Sequence, residues 1–326
     1  MELQPVQDRA ALTTWHDIVS ASLTSDHVAL PADPVEENLP IVEGTVPEAG
    51  ERVLFRLGVL SGEPVAAVSL SLPTLDNLTA ASIDLHVLPD LRRKGFGRQA
   101  LGAALEEMAA LGRTRAFFEA PSPLTGGAGP ADVLLSSVGA RPVLKEVRRV
   151  LDLRAPLAEP PEPARGYRLV QWVDRVPDEH VDAMAHLMHR MSTDAPFEDM
   201  DWEPENWDAA RYRQKEDAAI ARGRMRVATL AVHEETGAAV AFTDVGVSRY
   251  SRETAYQWET IVDPTHRGHG LGFALKAHNH RQLVDQSPES RWINTWNAES
   301  NTHMVGINER LGFRPMEYWS EWQLDR

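Results

Sequence analysis

There is no cysteine anywhere in the 326 residues. That excludes disulfides, thiolate metal sites and a cysteine nucleophile together, so any chemistry must come from other groups. Long apolar runs are missing as well: nothing approaches the roughly 20 residues that a membrane span needs. The opening MELQPVQDRA also lacks the basic-then-apolar order of a secretion signal. The expectation is a cytoplasmic protein with no membrane partner. Positive charge is short too, 33 Lys and Arg against 48 Asp and Glu for a net −15, which leaves no broad footprint for nucleic acid. Such acidity either keeps a chain soluble or draws cationic, amine-bearing small molecules.

What is present is an ordinary globular composition, 43% hydrophobic and 25% charged, at a length of about two domains. The halves repeat one another. HRGHGLGFALKAH (266–278) places three glycines within five positions, and a cousin, RRKGFGRQALGAAL, occupies 92–105. Arg92 and Arg267 stand 175 residues apart, and the same spacing matches Val65-Ala66 with Val240-Ala241, Val87 with Val262 and Pro89 with Pro264. Further on, VGARP (138–142) meets LGFRP (311–315) at a spacing of 173. Between the copies LRAPLAEPPEPARGY carries Pro156, Pro160, Pro161 and Pro163, the composition of a semi-rigid linker. The expected division is therefore a first domain over 1–154, a linker over 155–165 and a second domain over 166–326, two tandem copies of one fold.

The order of elements is clearest in the second copy. Helices are predicted over 178–191 and near 208–222, then strands over 225–233, 238–247 and 255–262. The glycine cluster follows Asp263-Pro264, and a helix runs from it to about Gln286. A strand over 291–296 and a helix opened by Ser300 and closed by Gly312 lead to the last strand. The pattern predicts an α/β (α+β) fold with a mixed sheet.

A strand that stops at a proline, a glycine-rich turn and a helix that starts at once point several backbone N–H groups at one spot beside a helix N-terminus. Glycine there lets a phosphate approach and permits positive φ. The order G-x-x-x-x-G-K-[ST] of nucleotide hydrolases is absent. GHGLGFA formally fits a dinucleotide turn, but three strands precede it and no acidic residue ends a strand about 20 residues later, as that fold requires.

The context resembles the GNAT acetyltransferases, whose R/Q-x-x-G-x-G/A loop joins the fourth strand to the following helix. Arg267, Gly268, His269, Gly270, Leu271 and Gly272 satisfy that loop, as do Arg92, Gly95 and Gly97 in the first copy. NAESNTHMVGINERLGF is similar to the family's second signature, and the chain as a whole resembles the tandem GNAT proteins of actinobacteria. The resemblance implies two GNAT-type domains, each a mixed, mostly antiparallel sheet flanked by helices with a splayed central strand pair. It implies acetyl-CoA as co-substrate, no metal, a small-molecule amine as acceptor, and a monomer or homodimer. Backbone at Thr260, Ile261 and Val262 is then expected to hold the pantetheine arm, the Gly268–Gly272 loop the pyrophosphate, and Asn294, Asn297 and Asn301 to contact the cofactor. Lys276 either meets a phosphate or lies on the surface.

Direct transfer in the second copy is the expected activity, with the first copy structural or cofactor-binding only. The first copy keeps the loop, but FEAPSPLTGGAGPAD stands where the second has INTWNAESN, and Pro121 and Pro123 offer no N–H. Its closing helix carries Ser136 and Ser137 in place of Ile307 and Asn308. Two alternatives stand: an inactive acyl-CoA-binding module, or an acyltransferase using another acyl-CoA or a protein lysine.

Glu259 is the expected base, with acidic Asp84 as its counterpart. In a regular strand Glu259 faces away from Tyr256, Trp258 and Thr260, so only a bulge brings both sets to one pocket. The family's usual tyrosine acid falls at Asn308, leaving Tyr256 and Tyr318 as substitutes. MSTDAPFEDMDWEPENWD (191–208), rich in acids and holding Trp202 and Trp207, is expected either as a solvated loop or as a lid for an ammonium group.

Overall fold

The computed structural model describes residues 1–47, 49–194 and 198–326. In chain order the first half forms β1 (Glu2–Pro5), α1 (Arg9–Asp26), α2 (Val35–Val42), β2 (Glu51–Leu60), β3 (Glu63–Pro73), β4 (Ala80–Val87), α3 (Phe96–Ala110), β5 (Arg115–Pro123), α4 (Pro130–Ser137) and β6 (Arg141–Asp152). The second half repeats the order with β7 (Tyr167–Val173), α5 (Val181–Asp194), α6 (Ala209–Ala221), β8 (Arg224–His233), β9 (Ala239–Ser248), β10 (Thr254–Val262), α7 (Leu271–Gln286), β11 (Trp292–Ala298), α8 (Thr302–Leu311) and β12 (Arg314–Asp325). Among the described residues no helix is long and apolar enough to cross a membrane.

Local chemistry starts these helices where it should. Asp8 caps α1 by accepting from Ala11 N at 2.8 Å, and Asp208 caps α6 from Arg211 N at 2.8 Å. α8 opens one residue later than predicted: Asn301, not Ser300, accepts from Met304 N at 3.2 Å. β8 and β9 are buried almost throughout rather than on alternate residues. The reason is cover on both faces: Val227 and Val245 pack toward α7, while Ala228, Leu230 and Phe242 pack toward α5 and α6.

The compact units trade their last strands, so they depart from cuts at 154 and 166. The first unit takes Met1–Val147 together with Glu317–Arg326 and a short segment ending at Trp202. Its β5 pairs antiparallel with β12 from Glu317–Pro123 to Asp325–Arg115. The second unit takes Arg148 onward, including the end of β6, which lies beside β11. The proline-rich stretch is fastened as well: Leu157 and Ala158 pack on the core beside α7, and Arg281 Nη2 bonds Glu159 at 2.9 Å.

Candidate active site

In the second unit β10 and β11 pair in parallel only from Thr254–Trp292 to Tyr256–Asn294. Past that point β10 stays with β9, Thr260 opposite Thr243 and Val262 opposite Ala241, while β11 departs. The parted half of β10 carries Thr260, Ile261 and Val262.

The glycine loop sits at the open end. Asp263 Oδ1 accepts from Thr265 N at 2.9 Å and turns the chain. Gly268 and Gly270 hold φ of 84° and 71°, the left-handed region where a side chain is strained. Gly270 caps α7 with no side-chain bond, so the first N–H groups of the helix are not covered by a side-chain cap. Gly272 serves another need: a Cβ there would lie 3.1 Å from Ile307 Cδ1, so it permits close packing of α7 on α8. Leu271 is buried behind the loop. Arg267 is a staple, its Nε donating to Val262 O at 3.2 Å and its Nη2 reaching Asp194 at 3.4 Å. His269 packs on Tyr167, whose hydroxyl bonds His266 Nδ1 at 2.9 Å.

Between Gln257 and Thr260 the register of β10 shifts. Such a bulge brings Glu259 to the side of Tyr256 and Trp258, though not to that of Thr260. It puts Glu259 on the α6 side, where Lys215 Nζ donates to Glu259 Oε1 at 2.6 Å. Trp258 lies on that same side against Gly246, and Tyr256 stacks on Trp258 and Trp296 at 5.8 and 6.3 Å. Thr260 stays on the opposite face, bonded to Thr243 Oγ1 at 2.8 Å. Glu259 N donates to Asp244 Oδ1 at 3.1 Å, and Asp244 pairs with buried Arg226. Burial alone pushes the Glu259 carboxyl up, but Lys215 and then Arg226 outweigh it and hold it well below the usual carboxylate range. Burial, opposed by Arg226 and reinforced by Glu259, raises Asp244 to about 7. Among the described residues Glu259 Oε2 has no hydrogen-bond partner, with Arg226 Nη2 at 3.9 Å.

The α7 face of the parted strands is polar and sealed. Lys276 is 1% exposed, not a surface residue, and donates from Nζ to Asn308 Oδ1 at 2.6 Å. Asn308 Nδ2 donates in turn to Asn297 Oδ1 at 2.6 Å. On the other face, with Tyr256, Asn294 accepts from Arg148 Nη1 at 2.5 Å, and Asn301 is the helix cap already described. Sequence reasoning missed Arg148, Trp296 and the Arg226–Asp244 pair, which become neighbours only through the sheet. The inward stripe Gly272, Lys276, Asn279, Leu283, spaced by four, three and four, was a usable signal for Lys276.

Tyr318 belongs to the first unit, where Lys145 Nζ lies 3.6 Å from its ring centre. Tyr256 shares a face with Glu259, beside Trp258. Of the acidic loop over 191–208, residues 195–197 lie outside the described residues. Trp202 packs edge-on against Phe117 at 5.5 Å, and Trp207 takes the protein's own cations, Arg211 at 4.3 Å and Lys215 at 5.5 Å.

The first unit repeats the frame with a different floor. β4 and β5 pair only from Ala80–Arg115 to Ser82–Phe117, Gly95 caps α3 at φ 86°, and Arg92 Nε bonds Val87 O at 3.1 Å. Arg93 takes the left-handed place of Gly268, with φ 63°. Gly97 leaves 3.7 Å to Leu134 and Val87. Leu101 fills the place of Lys276; counted back from Gly139 and Gly312, Leu135 rather than Ser136 or Ser137 fills that of Asn308, and both leucines are buried. Asp84 bonds His86 Nε2 at 3.0 Å, and Glu119 stands opposite Glu321.

Comparison with known proteins agrees with this geometry. The sequence profile of the acetyltransferase (GNAT) family matches residues 15–123. A mycothiol acetyltransferase of Salinispora tropica is 32% identical over 78% of this chain and 75% of its own length. One from Salinispora arenicola is 30% identical over 79% of this chain and 77% of its own. Among solved structures, a tandem GNAT protein from the clavulanic acid biosynthesis pathway superposes with TM-score 0.83 at 27% identity, covering 99% of this chain and 98% of that one.

Proposed function

This chain belongs to the GNAT acetyltransferase family, and from that premise we propose that it moves an acetyl group from acetyl-CoA to a small amine by direct transfer in the second unit. The observation that carries the reading is the conjunction, in one unit, of parted strands, a left-handed glycine loop at their open end and an anionic bulge beside them. The fit to acetyl-CoA rests on this frame: Gly268 and Gly270 present bare backbone for the pyrophosphate, and the parted half of β10 from Thr260 to Val262 leaves room for an extended arm. When bound, acetyl-CoA supplies the activated acyl group and a thiol leaving group.

The chain's own residues orient and charge the acceptor. Glu259 is an anion at neutral pH, because Lys215 and Arg226 stabilise its charge. An incoming ammonium competes with Lys215 for it, and the stacked rings of Tyr256, Trp258 and Trp296 give the acceptor a flat wall. Such a carboxylate is a weak base towards a free ammonium. The acceptor therefore attacks as its neutral amine, the ammonium proton having passed to solvent, and the carboxylate suffices at the end of attack, when the nitrogen has become strongly acidic and any placed carboxylate can take its proton. Backbone N–H near Val262 would hold the acyl oxygen in this reading.

The first unit then serves as scaffold or as a second acetyl-CoA holder. Because the family profile matches the first half, a second reading places chemistry there through the Asp84–His86 pair. Thiol release from acetyl-CoA, followed over polyamines, amino sugars, amino acids and hydrazines, tests the proposal. A mycothiol-related amine comes first, given the name of the Salinispora relatives. Acetyl-CoA binding without turnover of any amine would leave an acyl-CoA-binding module instead.

A further inference from the structure

Beneath the parted strands lies an amine that has, among the described residues, no carboxylate beside it. Lys276 Nζ bonds Asn308 Oδ1, and its other neighbours are soft: Met304 Sδ at 4.0 Å and the Phe313 ring at 5.4 Å. An ammonium has three protons to place, and among the described residues one polar oxygen receives them. Leaving a lysine so poorly served in a sealed place is costly, and packing does not demand it, since Leu101 fills the same place in the first unit. The chain of contacts leads outward. Asn308 bonds Asn297, and Asn297 stands in β11 three residues past Asn294, the last residue paired with β10. Lys276 is thus one amide away from the parted strands.

We infer that Lys276 gives the proton to the departing thiolate of the acyl donor, its flexible four-carbon stem carrying Nζ from Asn308 to the gap once the donor fills it. The inference rests on the acetyltransferase reading above. Its bookkeeping closes: the acceptor nitrogen forms the C–N bond, the C–S bond breaks with its electron pair on sulfur, and the Lys276 ammonium protonates that sulfur and becomes a neutral amine. The proton lost by the acceptor nitrogen passes through Glu259 to solvent, from which Lys276 recovers its own.

The other groups nearby are unsuited. His280, one turn along α7, is driven down to about 3 by burial and then by Lys276, so it is neutral and carries no proton to give as an imidazolium. Glu259 is ionised and, with Tyr256, on the opposite face. Burial alone lowers Lys276 to about 7, so both of its forms are available at neutral pH. Among the described residues His280 is the charged or titratable neighbour on α7, and α8 presents only Asn308 and Met304 to the amine.

Binding of CoA against desulfo-CoA, by calorimetry from pH 6 to 9 on the whole protein, reads the contact without turnover. The wild type is expected to prefer CoA by roughly tenfold or more, the scale of a charge-assisted bond, and Lys276→Met to lose that preference while binding desulfo-CoA as before. With an accepted amine, Lys276→Met should lower kcat by about 10²–10⁴ at unchanged acetyl-CoA affinity, and Lys276→Arg should recover part of the CoA preference. An equal CoA to desulfo-CoA ratio in wild type and Lys276→Met overturns the inference. If neither ligand binds at all, it is the acetyltransferase reading that fails, and this inference with it.

Discussion

The two units share a doorway and differ in what lies behind it. Both part their central strands after three paired residues, both staple the loop with an arginine on the carbonyl at the strand end, and both start the next helix from a left-handed glycine. Behind the first doorway lie Leu101, Leu135 and a bank of carboxyls; behind the second lie Lys276, Asn308, Asn297 and a paired glutamate. Duplication preserves what the backbone needs in order to turn and part. The side chains facing the gap are not needed for that, so they are where two copies can diverge in function.

The sharpest break of this comparison is at the doorways. Gly270→Glu places a carboxylate and a strained left-handed residue where phosphate is to sit, and is expected to lower kcat/KM by about 10² or more. Gly95→Glu should leave turnover within a few-fold, and equal losses would end the assignment of chemistry to the second unit. Next in size is the carboxylate. Glu259→Gln is expected to lower kcat by about 10²–10³, whereas Asp84→Asn should not, and stopped-flow thiol release compares them directly.

A smaller effect separates ring from hydroxyl. Trp258→Ala should raise the KM of a cationic acceptor by about five- to thirtyfold, the scale of a partly desolvated cation–π contact, with kcat little changed. Tyr256→Phe keeps the stack and should raise KM less; a larger kcat loss for Tyr256→Phe than for Lys276→Met would return the acid to tyrosine.

The smallest effect is on stability, and its sign differs between units. Burial, then Glu119 and Glu146, push Glu321 of the first unit from 4.5 up to about 9. The folded state then holds a proton that the unfolded state has lost, so this group makes stability fall as pH rises between those values. Lys276 is lowered from 10.5 to about 7. There the unfolded state holds the extra proton, so stability rises with pH from about 7 to 10.5. Thermal midpoints across pH for Glu321→Gln and Lys276→Met should lose the falling and the rising slope respectively.

Much of this was legible in the residues. The offset between Arg92 and Arg267 announced two copies, the glycines announced the left-handed turn before α7, and the parity of Tyr256, Trp258 and Glu259 marked the place where β10 bulges. Lys276 was harder, because a lysine in a helix reads as solvent-facing unless its stripe with Gly272 and Asn279 is weighed. Trp207 was legible as an aromatic near charge, but not that Arg211 and Lys215 are what it covers.

The sequence by itself determined the duplication, the order of strands and helices and the place of the glycine turn before α7, because turns, caps and left-handed glycines are set by a few adjacent residues. Only the tertiary structure decided that the end of β6 goes to the second unit and most of β12 to the first, that Glu259 is answered by Lys215, and that Lys276 is sealed behind Asn308. Those facts depend on residues 44, 32 or more positions apart meeting across a sheet or between helices. No local pattern carries such pairings, since burial and a neighbour's charge exist only once the chain has closed on itself.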